Sequence, residues 1–134
     1  MTTSVWIKAA ALWLAVLVLA ILNGALRERA LIPTFGSFAG LVASGIILCA
    51  CILVVTFVAA PWYGRLASRQ WFLIGLFWLL LTLVFEFSFG RFVQHKTWTE
   101  LFDAYAFRGG NIWPVVLLTT FLTPWIAARL RGLV

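Results

Sequence analysis

Four apolar runs, interrupted by charge only near their ends, constrain this chain more than any other feature. They lie at about Val5 to Leu22, Phe38 to Ala60, Trp71 to Phe89 and Ile112 to Ala128. At about 1.5 Å of rise per residue, a helix of roughly 20 residues crosses the ~30 Å hydrocarbon layer of a bilayer. Each run is near that length, the fourth being the shortest. Backbone in lipid must satisfy its own polar groups, so the runs are predicted as helices. The expected fold is all-α: a four-helix transmembrane bundle forming one integral membrane domain over residues 1–134, with no internal repeat and no dividing linker.

Composition excludes the alternatives. Of 134 residues, 64% are hydrophobic and only 10% charged, too few charges to cover the surface of a water-soluble domain of this size. The net charge of +6 does not form the single block or face that nucleic acid requires. Lys8, Arg27, Arg29, Arg65, Arg69, Arg91, Lys96, Arg108, Arg129 and Arg131 instead punctuate the ends of the runs, where they anchor helices among headgroups. The partner this implies is the lipid bilayer, with a membrane protein or a second copy of the chain as further candidates and no nucleic acid. Cys49 and Cys51, two residues apart in an apolar run, point to different helix faces and read as small apolar side chains. With one histidine in the chain they cannot complete a zinc site, and no metal or cofactor is expected.

Turn signals fall where the spans are expected to stop. Asn23 and Gly24 are predicted to close the first helix, and Pro33 with Gly36 to shape the first loop. The run after Lys8 lacks a small-x-small cleavage site and is read as a retained first span rather than a secretory signal. Pro61 ends the second span, with Trp62 and Tyr63 as an interfacial belt, and Gly90 ends the third. Pro124, inside the fourth, frees the carbonyl of Thr120, which a neighbouring threonine hydroxyl is expected to satisfy.

The loop between the third and fourth spans carries structure of its own. Thr97-Trp98-Thr99-Glu100 reads as a capping box, followed by an apolar stripe at Trp98, Leu101, Phe102 and Tyr105. A short amphipathic helix over about 98–107 is predicted to lie in the interface, with Glu100 and Asp103 on its polar face; Gly109 and Gly110 stop it and Asn111 caps the next helix. Lys and Arg are tied at five on each side of the membrane, so they do not set the orientation. The side holding both termini has no acidic residue, which favours a cytoplasmic position for it.

Glu86 is the one acidic side chain inside a predicted span, and a carboxylate there is a functional hypothesis by default. The first and third spans end on the same side, so Asn23, Arg27, Glu28, Arg29, Glu86, Arg91, His95 and Asp103 are expected at one end of the bundle. In the structural reading, Glu86 pairs with Arg27, Arg29 or Arg91 and hydrogen-bonds Asn23. In the functional reading, Glu86 takes up protons, or the arginines hold an anionic headgroup or a small anion. Gly36, Gly40 and Ser44 form a small-xxx-small row that fits helix packing within the chain or between copies. The eight Trp and twelve Phe are read as mostly lipid-facing or belt residues, with no cofactor box among them. Nucleophile motifs, phosphate loops and HExxH are absent, so the chain leans away from catalysis.

Asn23-Gly24 with Arg27-Glu28, Phe85-Glu86-Phe87 with Gly90, then Trp98, Asp103-Ala104-Tyr105 and Trp113 resemble a group of small uncharacterised four-helix integral membrane proteins of bacteria. The pattern departs at Gly109-Gly110, where such proteins would carry Gly-Arg. The resemblance implies a bacterial inner-membrane location and sets Asn23, Arg27, Glu28, Glu86 and Asp103 together; it carries no activity. The expected function is that of a non-enzymatic accessory or structural membrane protein acting through helix and lipid contacts. The rival is a small transporter or ion-translocating subunit with Glu86 as its protonatable group.

Overall fold

A computed structural model describes residues 3–103 and 112–133, without the side chains of Leu101 and Asp103. Among the described residues there are α-helices and no strand: α1 (Thr3–Leu26), α2 (Ile32–Phe35), α3 (Ser37–Ala59), α4 (Ser68–Ser88), α5 (Trp98–Asp103) and α6 (Trp113–Leu130). Four continuous helical stretches are long and apolar enough to cross a membrane, namely Thr3–Phe35, Ser37–Tyr63, Ser68–Val93 and Trp113–Leu130. The expected all-α, four-span architecture is therefore present.

Two predicted stops are not stops. Asn23 and Gly24 lie within α1, which runs through a π-helical turn at Arg27–Leu31 directly into α2. Gly90 is likewise buried inside a second π turn, Phe89–Val93, that prolongs α4. Glycine weakens a helix through backbone entropy and asparagine by competing for its backbone groups, and beside an apolar layer the cost of freeing those groups outweighs both. The first chain reversal comes at Gly36, whose φ of 88° is a conformation side chains rarely adopt. The second, between α3 and α4, passes through Gly64 at φ 77°, and the third falls at His95, left-handed at φ 56° and the one non-glycine with positive φ among the described residues. Beyond it the capping box forms as predicted: the amide of Glu100 donates to Thr97 Oγ1 at 3.2 Å, and the amide of Thr97 donates to Glu100 Oε1 at 3.2 Å. The second half of the predicted interfacial helix, with Gly109, Gly110 and Asn111, lies outside the described residues.

The spans form a ring in the order α1, α3, α6, α4, each packing on its two neighbours. α6 fits closely against α4 because Gly75 has no side chain: a Cβ there would press into the carbonyl of Phe121, lying 2.9 Å from its carbon and nearer still to its oxygen. The small-residue row is used inside the chain. Gly40 leaves room for the backbone of Ile32, and Ser44 is buried against α1.

Two of the eight tryptophans are exceptions to the lipid-facing or belt reading. Trp71 and Trp78 are fully buried, forming with Ile74, Ala9, Ala127 and Ala128 the core near the chain ends. For Trp78 the indole N–H finds a partner across helices, whereas that of Trp71 is buried with no hydrogen-bond partner among the described residues. Trp78 Nε1 donates to the carbonyl of Ala9 at 2.9 Å, and Trp13 Nε1 donates to Thr82 Oγ1 at 3.0 Å, which itself donates to the Trp78 carbonyl at 2.8 Å. α1 and α4 are thus joined by a ladder of hydrogen bonds. A second core of Val16, Leu48, Ile52 and Val116 lies on the side of the polar end. In α6, Pro124 is buried, but the expected rescue of the Thr120 carbonyl differs: the hydroxyls of Thr120 and Thr123 donate to the carbonyls of Val116 and Thr119.

Candidate functional site

Each polar residue singled out above is placed by the helix that carries it. Asn23 faces α3 and is buried. Its side-chain amide donates to the Ser44 carbonyl at 3.1 Å, and Ser44 Oγ donates back to Asn23 Oδ1 at 2.6 Å. Both groups are thereby committed to each other, so the predicted bond from Asn23 to Glu86 is absent. Arg27, at the start of the π turn, pairs with its neighbour Glu28, Nε to Oε1 at 3.2 Å. That is the one ion pair within 4.0 Å among the described residues, so Glu86 does not form the predicted pair with Arg27, Arg29 or Arg91. Arg29 is exposed. Arg91 is exposed too; it lies over the Trp98 ring at 5.6 Å and donates to the Lys96 carbonyl at 3.4 Å. His95 is exposed and serves the turn. Asp103 ends α5, with its side chain outside the description.

Glu86 points inward. It lines a small central cavity of about 40 Å³ to which all four spans contribute, through Trp13 on α1, Leu48 on α3, Thr82 on α4, and Trp113 and Thr120 on α6. That space holds a water molecule or very few, and no larger ligand. Because α4 continues to Val93, Glu86 stands seven residues from the helix end, about 10 Å of rise rather than the one turn expected from a stop at Gly90. Its carboxylate has no hydrogen bond or ion pair among the described residues, and the charges that reach it are those of Lys96 and Arg27. Sequence reasoning placed Arg27 near it but counted Lys96 only for topology. The return of the chain at His95 brings Lys96 back, its amide donating to the Gly90 carbonyl at 2.8 Å.

Below this end, Phe87 packs on Trp98 and Phe102 with ring centroids 6.3 and 5.6 Å apart, so the aromatic face of α5 rests on α4. The arrangement is a central carboxylate in an apolar enclosure, with a cationic surface above it. No group of three metal-ligating side chains occurs among the described residues. Compared with family models, curated proteins and solved structures, the chain matches none.

Proposed function

We propose that this is a non-enzymatic accessory or structural membrane protein, acting through helix and lipid contacts and resident in a bacterial inner membrane with both termini cytoplasmic. One observation carries the reading: the buried asparagine, serine and threonine side chains of the spans are engaged with each other or with their own backbone, leaving the Glu86 carboxylate and the Trp71 indole N–H without a bonded partner among the described residues. Asn23 and Ser44 bind one another, Trp13, Thr82 and Trp78 form the ladder to α1, and Thr56, Thr120 and Thr123 donate to carbonyls within their own helices. A water-filled path needs several inward polar groups with free bonding capacity. The enclosure at the bundle centre offers one carboxylate in about 40 Å³.

A second reading draws on that same carboxylate. Glu86 has no bonded partner among the described residues and sits where the four spans meet, which suits a protonatable group in an ion-translocating subunit. Reconstituted vesicles separate the two. The accessory reading expects equal proton flux for the native chain and Glu86→Gln, and recovery of a stable membrane partner on purification from native membranes. Flux present in the native protein and abolished by Glu86→Gln, with folding intact, overturns it.

A further inference from the structure

We propose that the lipid-facing groove between α3 and α6 holds one acyl chain of an anionic phospholipid, whose phosphate is bound by Arg131. The groove, of about 300 Å³, is lined by Leu53, Val54 and Phe57 on α3 and Ile126, Ala127 and Leu130 on α6. Ala127 is buried as its floor, while Val54 and Leu130 stand 61% and 71% exposed as its walls. At one end the guanidinium of Arg131 stacks over the ring of Phe57, 4.9 Å from its centroid. A guanidinium held by a ring contact keeps all its N–H donors for a hydrogen-bonding ligand, and their fork suits a phosphate. Arg131 has no hydrogen bond or ion pair from its side chain among the described residues.

The backbone under Arg131 is fixed. Gly132, at φ 70°, closes α6 with Leu133 N–H donating to the Ala128 carbonyl at 2.8 Å and Gly132 N–H to Arg129 at 3.2 Å, a Schellman termination. The chain end therefore presents Arg131 at a set height beside the groove. The charge there is complementary to an anionic headgroup: Lys8, Arg65, Arg69, Arg129 and Arg131 share this end of the bundle, and among the described residues no acidic side chain does. A second slot, about 410 Å³ between α1 and α4 and including Trp6, Phe77 and Leu80, provides the contrast. Among the described residues no cation is stacked on or bonded to its lining, so it should take acyl chains without headgroup preference. A second copy of the chain fits the α3–α6 groove poorly, because its walls are Val, Leu and Phe rather than the small residues that bring helices together.

This ligand gives chemistry to the lipid contacts of the proposed function but uses none of the residues around Glu86, so the two fail separately. The test is native mass spectrometry of the full chain, delipidated in detergent and titrated with phosphatidylglycerol or phosphatidylcholine of matched chains. The native protein should retain one phosphatidylglycerol with about fivefold preference, the expected worth of one basic side chain near a headgroup. Arg131→Gln should abolish the preference, Val54→Trp should lower occupancy by both lipids, and Leu80→Trp, in the other slot, should leave the preference unchanged. On the unmodified protein, raising ionic strength to about 1 M should erase it. Equal retention of both lipids by the native chain, preference unaltered in Arg131→Gln, or occupancy unaltered in Val54→Trp, overturns the proposal. So does a dimer that Val54→Trp dissociates.

Discussion

Replacing Gly75 by alanine sets two known effects against each other, and the structure decides the sign. In a helix interior alanine is favoured over glycine by about 1 kcal/mol, so the substitution should stabilise any helix with space for a methyl group. At Gly75 there is none, because the new carbon would fall 2.9 Å from the Phe121 carbonyl carbon and inside the reach of its oxygen. The obstacle is backbone, which cannot rotate aside, so α4 and α6 must separate. Overpacking of this kind costs roughly 1 to 3 kcal/mol, and a gap of 0.5 to 1 Å forfeits about a quarter to a half of each contact energy along the seam. Trp71, Ile74 and Trp78 flank Gly75 on the buried face of α4, so the seam is the main core. The net expectation is a loss of up to about 2 kcal/mol. Gly24→Ala is the internal control: the nearest foreign atom to its new carbon is a terminal nitrogen of Arg27 at 3.6 Å, an ordinary contact. That variant should gain up to about 1 kcal/mol. Unfolding of the purified protein by sodium dodecyl sulfate in mixed micelles, followed by circular dichroism, ranks the variants. If Gly75→Ala resists the detergent as well as Gly24→Ala does, the close α4–α6 approach is wrong.

Asn23 and Ser44 should couple. In a double-mutant cycle with alanine, the interaction energy is expected near 0.6 kcal/mol and no more than about 1.7, the range for hydrogen bonds between membrane helices; additive losses would mean that the pair is not formed. At His95, the left-handed backbone predicts opposite outcomes for two substitutions. His95→Gly should raise the unfolding midpoint by relieving a cost of about 1 kcal/mol, and His95→Val, β-branched, should lower it by a similar amount. A midpoint insensitive to both would show that the turn does not hold this conformation.

The sequence revealed the elements that depend on local chemistry. The four spans follow from length and apolarity, and the box at Thr97 and Glu100 from residue spacing alone. The helix ends were misplaced because the rules for Asn23, Gly24 and Gly90 were learned in water, where a freed carbonyl finds a partner. Pairing was harder still. Asn23 meets Ser44 across 21 residues and Trp13 meets Thr82 across 69, distances over which no spacing rule operates. One sequence signal does mark the buried face of α4. Trp71, Ile74, Gly75, Trp78 and Thr82 recur on a single helical face, and a glycine in that row marks a face that another helix approaches, so both tryptophans belonged inside. For the site, the gathering of polar residues at one end was legible, whereas their partners were not. Arg27 had a carboxylate next to it in sequence, and that nearer neighbour took it from Glu86.

Trp13 and Trp113 both border the enclosure that contains Glu86, and this gives the chain a native optical gauge. Indole emission responds to the electric field across the ring. A carboxylate gaining or losing its proton in so small and apolar a space should tint the spectrum of those two fluorophores, with no dye attached. Subtracting the Glu86→Gln spectrum cancels the other indoles and leaves a titration curve for one buried acid, read directly in the intact membrane.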